Sequence, residues 1–194
     1  MGSADALAAD DQQVVALVSR AVARDQAAFA ELYDLYLDRV YRYVYYRTGN
    51  RTDAEDLTEQ VFVQGWAAID RFRWQGKPFI AWLYTVAHNV IVDWRRRRTR
   101  CASLDDSDNP IEVECTRARM AMSQWIDADL VADAITNLTP EQQQVITLKF
   151  LDGFDTQQIA DIMGKREGTI RALQLRGLQS LRRHLERQGE SLTA

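Results

Sequence analysis

The residues of this chain whose type and spacing could do chemistry are mainly arginines, concentrated in two segments, Arg71 to Arg100 and Lys165 to Arg187. In the first segment the cations are Arg71, Arg73, Lys77, Arg95, Arg96, Arg97, Arg98 and Arg100, against the single acid Asp93. In the second they are Lys165, Arg166, Arg171, Arg176, Arg182, Arg183 and Arg187, against Glu167 and Glu186. Because clustered cations attract the phosphate backbone and release its counterions, both segments are typical of nucleic-acid-binding surfaces.

Between the two basic segments, the stretch from Cys101 to Glu141 is acidic. Its acids are Asp105, Asp106, Asp108, Glu112, Glu114, Asp127, Asp129, Asp133 and Glu141. The formal net charge of −4 therefore averages over segments of opposite sign. A phosphate backbone responds to the local field, so the negative total does not argue against nucleic-acid binding.

Catalytic apparatus is not visible in the sequence. The best acidic cluster, Asp105, Asp106 and Asp108, loosely resembles a calcium or magnesium loop but lacks its glycine and its spacing to a final glutamate. There is no paired catalytic histidine, nucleophile elbow or phosphate-binding glycine loop. Cys101 and Cys115 have no nearby histidine and make a poor zinc site, although a role of the two thiols as a redox switch is the alternative. We therefore expect a protein that is not an enzyme and that has no cofactor or metal.

The chain also lacks membrane and export signals. No run of about eighteen apolar residues could span a bilayer. The N-terminal sequence, MGSADALAADDQQ, has neither a cationic start nor an apolar stretch, so it does not predict a secretory signal. We expect a cytoplasmic protein that is not inserted in a membrane.

Helix start and stop signals position the C-terminal basic segment. In chain order they are Thr139, Pro140 and Gln142 at one helix start, Gly153 at its end, Asp155 with Gln158 at the next start, and Gly164 at its end. A longer helix follows the turn Gly164-Lys165-Arg166. This order predicts a helix-turn-helix whose last, cationic helix enters a DNA groove. Two antiparallel helices of an ordinary bundle could share the pattern.

The N-terminal half reads as further helices. Asp25 can cap the first, the sequence from Thr48 to Asn50 breaks it, and Thr52 with Glu55 forms a capping-box spacing for the next. That next helix buries an apolar side made of Leu57, Val61, Phe62 and Trp66 and keeps an acidic side. The acidic side could bind a basic partner, or it could simply be a helix start stabilised by the macrodipole.

The loop from Arg71 to Lys77 mixes cations, aromatic residues and glycine, and Pro78 then opens a helix. Unstacked single-stranded bases stack on exposed rings beside cations, which makes Trp74 a candidate contact. Asn89 is a candidate base-edge reader because its amide both donates and accepts. The run from Arg95 to Arg98 predicts phosphate contacts, although it could be only a solvated helix end. The helical spacing predicts that the core contains Phe79, Trp82, Leu83 and Val86.

Four blocks in this order resemble bacterial sigma-70-family factors of the extracytoplasmic-function group. The blocks are AAFAELYDLYLDRVYRYVYYR, DAEDLTEQVFVQGWAAIDRFR, PFIAWLYTVAHNVIVDWRRRR and LTPEQQQVITLKFLDGFDTQQIADIMGKREGTIRALQLRGLQSLRRHL. The resemblance implies an all-α fold of two small helical domains, sigma-two and sigma-four, joined by a flexible acidic linker. The implied limits are an N-terminal extension at 1–24, sigma-two at 25–100, the linker at 101–125, sigma-four at 126–187 and a tail at 188–194.

The same resemblance implies a transcription initiation factor that binds core RNA polymerase, melts the −10 promoter element and reads the −35 element as duplex. The implied −10 contacts are Arg73, Trp74, Lys77, Asn89, Arg95, Arg96, Arg97 and Arg98. The implied −35 contacts are Arg166, Arg171, Gln174, Leu175 and Arg176. The implied polymerase contacts are Asp53, Asp56, Gln60 and Phe62. Promoter DNA, core RNA polymerase and an anti-sigma factor are the expected partners, and a degenerate decoy that sequesters an anti-sigma factor is the alternative function.

Two further features bear on promoter recognition. About 25 residues of extended linker, at about 3.3 Å each, reach about 80 Å, and two DNA turns span about 70 Å. One chain can therefore touch both promoter elements. Arg166, Glu167 and Leu173 depart from the residues that similar proteins usually carry, so the promoter sequence does not follow from the resemblance. Glu167 could accept from a cytosine amine or repel phosphate.

Overall fold

The computed structural model of the chain describes residues 3–74, 77–102 and 131–191, with side chains for 12–74, 77–99 and 131–187. Within these ranges the regular structure is helical and no strand is formed, which confirms the expected all-α fold. The elements are α1 (Ser3–Val22), α2 (Gln26–Thr48), α3 (Arg51–Ala68), a 3-10 turn (Ile69–Arg71), α4 (Phe79–Ala102), α5 (131–136), α6 (Pro140–Ile146), a π-helical segment (Thr147–Leu151), α7 (Thr156–Met163) and α8 (Glu167–Ser191). We call α1–α4 the N-terminal unit and α5–α8 the C-terminal unit.

The ends of α2 and α3 are set by local polar groups. Asp25 caps α2 as expected, because its carboxylate accepts from the backbone N–H groups of Ala27 and Ala28. Gly49 ends α2 in the left-handed conformation, at φ 71°. The capping box expected at Thr52 is wrong, since the cap of α3 is Asn50, whose side chain accepts from Asp53 N at 3.0 Å. Asn50 directly follows the left-handed glycine, and so α3 begins immediately after the turn.

Helix α1 was not expected from the sequence, and it packs on α2. Leu17, Val18 and Ala21 are buried in the same core as α2. The connection is held by Arg24, which donates to Trp66 O at 2.7 Å and pairs with Asp70 at 3.0 Å. The segment expected to be only an N-terminal extension therefore folds as part of the N-terminal unit.

Aromatic and aliphatic side chains fill the core between α2, α3 and α4. Leu83 and Tyr84 of α4 have no exposed surface, and the Tyr84 ring stacks on Tyr43 of α2 at 4.5 Å. Full burial of a side chain such as Leu83 contributes about 1.5–3 kcal/mol relative to its exposure. This burial fixes the rotation of α4 about its own axis, and with it the residues that α4 presents to solvent.

The C-terminal unit has the expected helix-turn-helix signals. Thr139 and Asp155 each complete a capping box, with Gln142 and Gln158 respectively, and Gly164 ends α7 at φ 62°. The buried side chains Ile159 of α7 and Ile170 of α8 have no exposed surface, and α7 packs against α8. These contacts hold α8 at a fixed angle to the rest of the unit.

The two units are in contact, because α4 packs against α7 and α2 packs against α6. Helix α4 continues to Ala102, so the first two residues of the expected linker are helical. The rest of that linker, with Cys115, lies outside the described residues. Among the described helices, none combines the length and the apolar character that a membrane crossing requires.

Candidate nucleic-acid interface

The loop before α4 carries an aromatic side chain at the surface. Trp74 is 48% exposed, and its ring lies edge-on to Phe72 at 6.0 Å. Phe72 in turn contacts the buried Phe79 ring at 5.4 Å, so the exposed indole is anchored to the core. Arg73 donates to the backbone oxygen atoms of Asp70 and Phe72. An anchored, exposed indole beside a cation is a surface on which an unstacked base can stack.

Helix α4 presents a polar side chain and a group of cations to solvent. Asn89 is exposed, as are Arg96, Arg97 and Arg98. The Arg98 guanidinium lies 5.4 Å from the centroid of the Trp94 ring and 3.3 Å from Asp53 of α3. These three arginines form a cationic end of α4 that is accessible to phosphate.

Arg95, expected to contact phosphate, is instead directed into the molecule. Its Nη2 donates to Arg47 O at 2.6 Å and to Gln143 Oε1 of α6 at 2.5 Å. Burial, together with the nearby Arg47 charge, lowers the pKa of Arg95 to about 10. In this structure Arg95 therefore joins the two units, because its place on α4 faces α6 rather than solvent.

A buried arginine next to Arg95 gave no signal in the sequence. Arg47 is 1% exposed and donates to Tyr43 OH at 2.6 Å. The His88 Nδ1 atom lies 3.3 Å from Arg47 Nη1. Burial and the Arg47 charge lower the pKa of His88 to about 4, so the ring is neutral near pH 7 and can accept from the guanidinium.

Helix α8 and the residue before it expose most of the side chains expected to read duplex DNA. Arg166, Arg171 and Arg176 are exposed, Leu175 is 59% exposed, and Gln174 is half-buried. Arg171 pairs with Glu167 at 2.6 Å, one turn earlier on the helix. Leu173, which stands where similar proteins carry a basic residue, is buried and packs in the core. Its apolar side chain therefore holds the helix in place and does not face a DNA groove.

The residues expected to contact polymerase do not share one face of α3. Asp56 is exposed, whereas Asp53 and Gln60 are half-buried. Phe62 is only 5% exposed and packs edge-on against Tyr33 at 4.6 Å, so the expectation of a direct contact by Phe62 is corrected. The neighbouring Val63 is 68% exposed and was missed, because a lone apolar residue next to a core position gives no separate signal.

The two surfaces define a class of protein, the two-part DNA-binding protein. One part is a helical bundle with an exposed aromatic and cationic loop, and the other is a helix-turn-helix with a cationic last helix. Residues 32–101 match the family model of sigma-70 region 2, and residues 128–181 match that of sigma-70 region 4. The matched ranges hold both surfaces.

Individual proteins agree with these family matches. The chain is 40% identical to the ECF RNA polymerase sigma factor BldN of Streptomyces coelicolor, covering 91% of this chain and 67% of that protein. It is 32% identical to the ECF sigma factor SigL of Mycobacterium tuberculosis, covering 90% and 98%. The structure of Bartonella quintana RpoE in complex with the anti-sigma factor NepR has a TM-score of 0.67 at 25% identity, covering 81% of this chain and 96% of that one. The chain belongs to the sigma-70 family, in its extracytoplasmic-function group, and is a transcription initiation factor.

Proposed function

We propose that the two units divide promoter recognition, with the N-terminal unit opening the −10 element and the C-terminal unit reading the −35 element as duplex. The observation that carries this proposal is the presence of two separate exposed cationic surfaces, one at Trp74 and the end of α4 and one on α8. We further propose a sigma-two domain at 25–100, against which α1 packs, and a sigma-four domain at 126–187.

At the −10 element, Trp74 and Asn89 serve different purposes. The exposed Trp74 ring offers a stacking surface, and the exposed Asn89 amide offers a donor and an acceptor to a base edge. Extruding a base from the duplex costs a few kcal/mol, which stacking and amide hydrogen bonds can offset. Arg96, Arg97 and Arg98 hold the phosphates of the opened strand.

At the −35 element, Arg171 is the leading base-edge contact. Glu167 holds its guanidinium at 2.6 Å and so limits the orientations available to it. Arg176 lies further along the same helix, where its Nε donates to Ala172 O at 3.2 Å and its remaining donors can reach a base or phosphate. One bidentate arginine contact with guanine is worth about 1–3 kcal/mol of discrimination.

On the polymerase side, the exposed part of α3 is the contact surface. Asp56 and the half-buried Asp53 and Gln60 supply its polar groups, and Val63 supplies an apolar centre. Phe62 supports this surface from beneath through its contact with Tyr33. The chain itself has no catalytic role, and it acts with the polymerase in the cytoplasm.

The division of labour is tested by transcription in vitro with core polymerase on genomic fragments whose start sites are mapped. Arg171→Ala should weaken duplex binding at the upstream element about tenfold, since it removes one base contact. Asn89→Ala and Trp74→Ala should leave duplex binding nearly unchanged and slow promoter opening, measured with a fluorescent base in the −10 element.

Matched controls come from the same helices. Arg182→Ala removes an exposed arginine of α8 whose guanidinium pairs with Glu186, and Thr85→Ala changes an exposed residue of α4 one turn before Asn89. Both controls should behave like the wild type. Equal loss of duplex binding in the Arg171, Asn89 and Trp74 variants would refute the assignment.

An anti-sigma factor is the proposed regulator. The support is the overall match to RpoE in its complex with NepR. Such a partner would hold the two units together and cover the polymerase-facing side of α3. Affinity capture of the chain from cells under non-inducing conditions should recover a small inhibitory protein, and recovery of polymerase alone would contradict this proposal.

A further inference from the structure

The turn between α1 and α2 contains a residue with an uncommon backbone conformation. Arg24 has φ 67°, and among the described residues it is the one non-glycine residue with a positive φ. Two backbone hydrogen bonds close the turn, from Arg24 N to Ala21 O at 2.9 Å and from Asp25 N to Arg20 O at 3.1 Å. Glycine adopts this left-handed conformation without steric cost, whereas a residue with a Cβ does not. The backbone therefore favours glycine here, and an arginine indicates a role for the side chain.

The Arg24 side chain crosses from this turn to the end of α3. Its Nη1 donates to Trp66 O at 2.7 Å, and its Nη2 donates to Ala67 O at 3.4 Å. Nη2 also lies 3.0 Å from Asp70 Oδ2 in the 3-10 turn, and this hydrogen bond lowers the pKa of Asp70. The last carbonyl groups of a helix have no partner within the helix, and a cation beside them interacts favourably with the helix dipole. One side chain therefore holds both the end of α3 and the 3-10 turn.

The loop that carries the exposed indole begins at the same 3-10 turn. Phe72 N donates to Ile69 O at 3.0 Å, and Arg73 Nη1 donates to Asp70 O at 2.8 Å. The Phe72 ring contacts the Trp74 ring at 6.0 Å. Helix α1 also packs against the 3-10 turn. The turn between α1 and α2 is therefore connected to the exposed indole by a series of direct contacts.

The pair of Arg24 and Asp70 affects position more than global stability. The two side chains are 44% and 48% exposed. Ion pairs at such exposure contribute little to the free energy of unfolding, because water screens them. Ordering one side chain during binding lowers affinity by about two- to tenfold. A loop that is held before an unstacked base arrives avoids part of this loss, so it captures the base more readily.

We propose that Arg24 is a positioning residue for promoter opening. By holding the end of α3 and the 3-10 turn, its side chain sets where Arg73 and Trp74 meet the opened −10 strand. Helix α1 and the turn that follows it are thereby part of the apparatus that opens the promoter. This inference rests on the proposed role of Trp74 at the −10 element.

Arg24→Gly is the test variant, because it keeps the left-handed backbone and removes every contact of the side chain. Its thermal unfolding temperature should stay close to that of the wild type. Arg24→Lys keeps the charge, but an ammonium group lacks the fork that reaches two carbonyl groups and Asp70 at once, so its effects should be intermediate. Arg20→Ala is the matched control: it removes an exposed arginine of α1 that pairs with Asp25 at 2.7 Å and Glu31 at 3.8 Å.

Hydrogen–deuterium exchange of the free factor measures whether the loop is held. Backbone amides of residues 69–74 should exchange at least about twofold faster in Arg24→Gly than in the wild type, since the loss of an exposed ion pair frees the turn. Amides of residues 83–91 in α4 should exchange as in the wild type, and so should all of these amides in Arg20→Ala. Unchanged exchange at residues 69–74 in Arg24→Gly would overturn the proposal.

Promoter opening by the holoenzyme gives the functional readout. On a fragment with a mapped start site and a fluorescent base in the −10 element, Arg24→Gly should open about two- to tenfold more slowly than Arg20→Ala, with unchanged binding to the closed duplex. Normal opening by Arg24→Gly beside slow opening by Trp74→Ala would also overturn the proposal, while leaving the proposed function intact. Normal opening by Trp74→Ala itself would refute the proposed function, and the positioning role of Arg24 with it.

Discussion

Replacing glycine with alanine at two positions of α8, Gly168 and Gly177, should have opposite effects on stability. Gly168 has no neighbouring atom within 4 Å of the position that a methyl group would occupy. A methyl group at Gly177 would lie 3.1 Å from Ile146 Cγ1 and 3.3 Å from its Cδ1. Gly168→Ala should therefore stabilise by about 0.5–1 kcal/mol, because alanine loses less backbone entropy in a helix.

At Gly177 the same helical gain is opposed by overpacking, which costs about 1–3 kcal/mol in a filled core. Ile146 is 3% exposed and has little room to move away. Gly177→Ala should then be destabilising by up to about 2 kcal/mol. Urea unfolding followed by circular dichroism measures both variants, each against the wild type. Equal stabilisation by the two substitutions would show that α6 and α8 are not packed as closely as this structure has them.

Three further outcomes follow from single side chains. Asp155→Ala removes the side-chain acceptor of the Gln158 backbone N–H and should lower the free energy of unfolding by about 1 kcal/mol. Thermal unfolding measures this loss, and an unchanged melting curve would refute it. The pKa of His88 is about 4 in the folded chain against an ordinary 6.5. As pH falls through this interval, the unfolded chain binds a proton at His88 before the folded chain does, so the free energy of unfolding decreases. His88→Gln should lose less stability over the same interval, and an identical pH profile would contradict the assignment. Arg97→Ala should reduce the slope of log affinity for single-stranded −10 DNA against log salt by about 0.7, and Arg182→Ala should leave that slope unchanged.

The local signals in the sequence were sufficient for much of the fold. Asp25, Thr139 and Asp155 cap helices where their side chains predicted, and Gly164 ends α7 in the left-handed conformation. Such signals act within one turn of chain, so they can be read without knowing what the helix packs against. The exposure of Trp74 was also predictable, since its loop is polar.

Other outcomes depended on contacts between residues distant in the sequence. Arg95 reads like Arg96, Arg97 and Arg98 in the sequence, but only Arg95 meets a glutamine of α6 across the contact between the units.

The sequence by itself thus determined the starts of α2, α6 and α7, the helix-turn-helix and the two cationic segments of this sigma factor, because helix capping, periodicity and charge are properties of neighbouring residues. Only the tertiary structure decided that Phe62 lies in the core, that Arg47 is buried and that Asp152 of the C-terminal unit pairs with Tyr84 and Arg39 of the N-terminal unit. Burial is fixed by which surfaces meet, and helices far apart in the sequence meet through the combined packing of the whole chain.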